Sequence, residues 1–225
     1  MRIRRLAIAY AIAASASASA TAVAQTPEQT LDRAVAAYAQ MKTARVSFTQ
    51  TLNNPLTNKD VTSKGEMIEK LPGHYLVTFT QPAGDKIVSD GKVVWVYLPS
   101  TNPGQVIKLP VGEGGTRVPD FTSWLLDKPK ERFTLGDGGT ASVAGKATHV
   151  LLLTVRASGV PFKTAKLWID DVDGIVRQFE TTDANGSVRK VRVDAIEMNV
   201  PASGSLFTFT VPAGVKVYEP GVSGT

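Results

Sequence analysis

Beyond residue 45 apolar and polar side chains mostly alternate with a period of two, whereas the stretch before it has a helical period. Thr26, Pro27 and Gln29 supply an N-cap, a first-turn proline and a capping-box partner. Leu31, Ala34, Val35 and Tyr38 then form one apolar face, so a helix is expected to run to about Thr43. Alternation predicts strands over 45–51, 61–70, 74–81, 86–89, 93–98, 105–109, 132–135, 148–155, 163–170, 175–182 and 187–198. Leu71-Pro72-Gly73, Asp90-Gly91, Val172-Asp173-Gly174 and Asn185-Gly186 are the turns between them. Between positions 119 and 127, Phe121, Trp124 and Leu125 recur at i, i+3, i+4, which predicts a short helix with one apolar face behind glycines 112, 114 and 115. The fold class is therefore mainly β. About eleven strands form a single antiparallel sheet, a meander curled into a barrel or part of one.

The first 24 residues follow a different rule. Arg2, Arg4 and Arg5 precede an apolar run from Leu6 to Ala14, and Ala22-Val23-Ala24 closes the segment. This is the pattern of a secretory signal peptide, too short and too rich in Ala and Ser to span a bilayer. The expected organisation is a removed segment 1–24 and a single domain over 25–225. The charge changes with it. The whole chain has 25 Lys+Arg against 20 Asp+Glu; losing 1–24 removes three arginines and no acid, leaving 22 against 20. A net charge of +2 gives no case for nucleic-acid binding. An exported protein without an anchor of its own is expected.

Candidate chemistry is sparse. With no cysteine, the chain cannot build a disulfide framework, a Cys-ligated metal site or a thiol nucleophile. His74 and His149, its two histidines, fall in separate strands. Asp170-Asp171-Val172-Asp173-Gly174 begins like a calcium loop, but the later ligands and flanking helices are missing, so it reads as a turn. Asp90, Asp170 and Glu180 are the acids a hydrolase would have to use, and the first two lie at turns. Arg189-Lys190-Val191-Arg192 reads as a solvated edge. No catalytic role, metal or cofactor is expected.

The apolar inventory says more. Tyr75, Val77 and Phe79 share one face of a strand, and Trp95 and Tyr97 share a face of another. A curled sheet has a concave face, filled by its own side chains, a helix or a ligand. One acyl chain of roughly fifteen methylenes would gain on the order of 12 kcal/mol there. Release then requires that loading displace something, and the segment bearing Phe121, Trp124 and Leu125 is the candidate lid.

The order of motifs resembles the periplasmic outer-membrane lipoprotein carrier family, LolA. The resemblance runs through Val46-Ser47-Phe48-Thr49-Gln50, Lys70-Leu71-Pro72, Thr80-Gln81-Pro82, Ser89-Asp90-Gly91-Lys92 before Trp95-Val96-Tyr97, Leu167-Trp168-Ile169-Asp170, and Gln178-Phe179. It ends on Phe207-Thr208-Phe209-Thr210-Val211-Pro212-Ala213-Gly214-Val215-Lys216-Val217. It implies an incomplete β-barrel whose helices close a hydrophobic cavity. It implies a periplasmic monomer that takes acylated lipoproteins from an inner-membrane ABC transporter of the LolCDE type, with only transient contact at the membrane complex, and passes them to an outer-membrane receptor. A lipid-binding or envelope-stress sensor domain on the same scaffold is the alternative. The implied lipid contacts are Phe48, Tyr75, Val77, Phe79, Trp95, Tyr97, Phe121, Trp124, Leu125, Trp168 and Phe179. The chain departs from the family at Leu71, where an arginine that bonds the lid closed is usual, and the 99–104 stretch is longer.

Overall fold

The computed structural model describes residues 25–111 and 125–220. Helix α1 (Pro27–Ala39) begins with the reciprocal cap its sequence encodes. The Gln29 N–H donates to the Thr26 hydroxyl at 3.2 Å, and the Thr26 N–H donates to Gln29 Oε1 at 3.0 Å. The helix stops short of Thr43 because a distant residue takes that backbone. Lys42 N–H donates to Asn199 Oδ1 at 2.9 Å, and Asn199 N–H donates to the Thr43 carbonyl at 2.6 Å. Thr43 thus begins a strand.

The strands are β1 (Thr43–Asn54), β2 (Lys59–Lys70), β3 (His74–Gln81), β4 (Ala83–Asp90), β5 (Val93–Tyr97), β6 (Gln105–Pro110), β7 (Phe133–Val143), β8 (Lys146–Val155), β9 (Thr164–Asp170), β10 (Val176–Thr182), β11 (Val188–Met198) and β12 (Lys216–Tyr218). They form one sheet in the order β12-β6-β5-β4-β3-β2-β1-β11-β10-β9-β8-β7. The described helical segments besides α1 include α2 (Pro129–Arg132) and a 3₁₀ turn (Gly204–Phe207). No helix among the described residues is long and apolar enough to cross a membrane.

The eleven expected strands are all present, with two differences. β7 continues to Val143 through Gly136, Gly138 and Gly139, which carry no side chains to display an alternation. β12 is a twelfth strand, and it joins β6 in parallel, Val217 opposite Val106. Its three residues are too few to show a period.

The sheet curls without closing. Ile87 on β4 and Phe179 on β10 line one cavity. Five strand spacings separate them in the sheet order, which would hold them roughly 24 Å apart if the sheet were flat. The concave face buries the main core, with Leu31 and Ala34 of α1 against Leu151, Leu167, Ile169, Phe133 and Val77. A C-terminal segment covers part of the opposite face: Phe207 lies against His74, and Phe209 stacks on Trp95 with centroids 5.5 Å apart.

Candidate functional site

Every second residue of the central strands points into the concave side. Ala44, Val46, Phe48 and Gln50 come from β1, Met67 and Glu69 from β2, Val77 and Phe79 from β3, and Ile87 from β4. On the other wall stand Ile175, Val176, Phe179, Arg189, Val191, Val193, Ile196 and Met198. The inward set of β11 changes from odd to even numbers between Val193 and Ile196. The cause is a bulge at Asp194, where Ser47 pairs with Ala195 but Phe48 with Val193. Ala34, Ala37 and Tyr38 of α1, with Met41, Leu125 and Leu126, cover the space between. They line a partly open cavity of about 170 Å³ with mainly apolar walls.

Phe48 sits at its centre by a specific exchange of volume. Gly65 lies directly opposite on β2, and a Cβ there would fall 2.5 Å from the Thr78 carbonyl oxygen and 2.9 Å from Phe48 Cζ. The missing side chain leaves room for the ring, which meets Phe79 edge-on at 5.8 Å and 87°.

Of the expected lipid contacts, Phe48, Val77, Phe79, Leu125 and Phe179 line this cavity. Tyr75 is on the same face of β3 but is buried in the core beside it. Trp95 and Tyr97 are not in the lining. Val94 is the buried, inward residue of β5, and its neighbours Trp95 and Tyr97 take the other face, where both meet Phe209. Trp168 likewise alternates with the fully buried Leu167 and Ile169 and stays out of the lining. Phe121 and Trp124 lie outside the described residues. The alternation that pairs Trp95 with Tyr97 is legible in sequence; which side of the sheet they take is not.

Several wall residues escape a search for aromatics, notably Met41, Met67, Val193 and Ile196. So do three polar ones. Glu69, 3% exposed, and Gln50 look like surface residues in sequence. Arg189 reads in sequence as part of a solvated edge, but β11 lies between β1 and β10 in the middle of the sheet, and Arg189 lines the cavity, its guanidinium bonded to Gln50.

A scan of the chain against family models matches the outer membrane lipoprotein carrier protein LolA over residues 39–210. The chain belongs to the LolA family. An outer-membrane lipoprotein carrier protein of Methylibium petroleiphilum is 29% identical over 189 residues, covering 83% of this chain and 88% of that one. Its counterpart in Azotobacter vinelandii is 28% identical over 198 residues, covering 87% and 91%. Among solved structures, an uncharacterised conserved protein of Thermus thermophilus superposes with a TM-score of 0.53 at 16% identity, covering 87% of this chain and 99% of that one. That similarity concerns the fold alone.

The LolA-family strand geometry also accounts for the acids. Asp90 accepts from the Lys92 and Val93 N–H groups of its turn. Asp170 accepts from Val172 N–H and from Arg177. Glu180 bridges Lys166 and Lys190. Burial pushes all three carboxyls up, but these donors outweigh it and hold each below its usual range. All three are fixed as structural anions. Leu71 lies partly buried at the β2–β3 turn against Met41, Ala44 and Val46.

Proposed function

We propose that this chain is a periplasmic carrier that holds the acyl chains of lipoproteins in its cavity. Residues 1–24 act as its export signal, and the remainder works as a monomeric domain. It collects its load at an inner-membrane complex of the LolCDE type and delivers it to an outer-membrane receptor, with no covalent step. The observation that carries this reading is the apolar cavity on the concave face of a LolA-family sheet, roofed by α1 and Leu125–Leu126. Among the described residues no strand-like ladder ties that roof to the sheet, so it can yield to a chain worth on the order of 12 kcal/mol. Phe48, Val77, Phe79, Leu125 and Phe179 contact the load directly. Leu71 replaces a hydrogen-bonded latch by an apolar contact, so this carrier opens without breaking a polar bond at that point.

The purified protein is expected to release an acylated lipoprotein from vesicles containing the inner-membrane transporter and ATP, and to stay in a soluble complex with it. Phe79→Glu places a charge among the lining side chains and is expected to reduce the complex by at least about tenfold, given the cost of burying an unpaired carboxylate. Failure of the unaltered protein to extract lipoprotein, or equal loading by a folded Phe79→Glu protein, refutes the proposal.

A further inference from the structure

The end of the cavity away from Glu69 carries a linked polar group. Arg189 Nη1 donates to Gln50 Oε1 at 3.3 Å, and Gln50 Nε2 donates to Ser63 Oγ at 3.2 Å. The three residues lie on adjacent strands β11, β1 and β2, with Gln50 directly opposite Ser63 and diagonal to Arg189. Both Arg189 and Gln50 line the cavity. Further along β11 the lining is Val191, Val193, Ile196 and Met198. That strand wall extends roughly 30 Å at about 3.3 Å per residue. The result is a long, mainly apolar trough with Arg189 and Gln50 at one end and Glu69, opposite Ala44, at the other.

We infer that the cavity takes an acyl chain ending in an anion, a long-chain fatty acid, with its carboxylate against Arg189 and its chain along β1 and β11. The inference rests on the carrier reading of the cavity and adds the chemistry of a ligand. Acyl groups linked through esters or amides carry no charge, and nothing in them calls for a guanidinium in the wall. A carboxylate does: the planar fork of arginine matches its two oxygens, and such charge-assisted bonds are the strong ones. Gln50 holds the fork from the β1 side and is itself held by Ser63, so the donor is oriented before a ligand arrives. Burial pushes the Arg189 guanidinium below its ordinary range and the field of Asp183 partly offsets this. The inference requires only that the guanidinium reach the lumen, since an incoming carboxylate can compete with any partner already there.

The test is equilibrium binding of radiolabelled palmitate and methyl palmitate to delipidated protein made from the full chain. Palmitate is expected to bind at least about tenfold more tightly than its ester. Arg189→Gln is expected to remove that difference by weakening palmitate and leaving the ester unchanged, while Arg189→Lys restores part of it. Equal binding of acid and ester by the unaltered protein overturns the inference, as does full palmitate affinity in a folded Arg189→Gln protein. If Arg189→Gln does not fold, the acid–ester comparison decides alone. Binding of neither probe, with lipoprotein extraction intact, rejects the fatty acid and leaves the carrier; loss of extraction as well rejects both. Binding of a phospholipid but not palmitate also rejects the fatty acid.

Discussion

Asp170 is 1% exposed and closes the β9–β10 turn from within. One oxygen accepts from Val172 N–H at 2.8 Å, and the other from Arg177 Nε at 2.9 Å. Burial favours its neutral form, but these donors hold the carboxyl below its usual range. A lowered folded-state value means that the stabilisation is present above the unfolded pKa of about 3.9 and is lost as pH falls through the folded value. Asp170→Asn leaves Arg177 partly buried with Asp173 as its remaining acid, and is expected to cost about 3 kcal/mol at neutral pH. In urea unfolding, the gap between the two proteins should shrink from pH 7 to pH 3, as protonation removes the advantage of the unaltered chain. A gap of the same size at both values rules out this account. The sequence marked Asp170 only as a turn acid. Its partner Arg177 was not legible, because which strand residue faces a turn depends on a register shift between Val176 and Gln178. Arg189 was misjudged for a related reason: its parity with Val191 was plain, but an inward arginine shows no apolar alternation to mark the face.

At the scale of elements, α1 is moored at its middle, through Arg33, and lines the cavity from Ala34 to Tyr38. Arg33 Nη1 donates to the Asp171 carbonyl at 2.7 Å, and the Asp171 carboxylate lies 3.7 Å from Arg33 and 3.6 Å from His149. Gly174 lets the turn come this close. Its φ is +73°, and a Cβ would stand 2.9 Å from the Arg33 carbonyl oxygen. Gly186, at the β10–β11 turn, has φ +83° but only Pro55 Cγ at 3.6 Å, so the two glycines share backbone strain and differ in the helix contact. Gly186→Ala is expected to cost about 1 kcal/mol. Gly174→Ala should cost clearly more and also speed the uptake of an acyl probe, because the helix must shift. Equal melting temperatures and equal uptake in the two variants would show that the turn does not position the helix. Both turns were readable from their dipeptides. The mooring was not, because Arg33 and Asp171 are 138 residues apart and only the curl of the sheet brings them together. β11 carries the same lesson within one strand, since the bulge at Asp194 moves the inward face from Val193 to Ile196 and no local residue type announces it.

For the molecule as a whole, the volumes decide how loading can work. The cavity holds about 170 Å³, close to the roughly 150 Å³ of an engineered apolar cavity that accepts one benzene. An acyl chain of roughly fifteen methylenes cannot enter without enlarging it. The sheet resists enlargement, since each inner strand is hydrogen-bonded on both sides. Among the described residues the roof has no such ladder, so opening falls to α1 and the Leu125–Leu126 stretch. Part of the gain from burying the chain is spent in lifting Ala34 and Leu125 from the core, and that offset keeps the load releasable. The absence of cysteine makes the motion measurable, because introduced thiols are the only ones present. Spin labels at Ala36→Cys on the exposed face of α1 and Lys64→Cys on β2 should move apart when a lipoprotein is bound. A control pair at Lys64→Cys and Lys166→Cys, both on strands, should keep its spacing. If the first distance stays fixed with the load in place, α1 is not the moving part; if the control pair widens instead, the sheet itself opens.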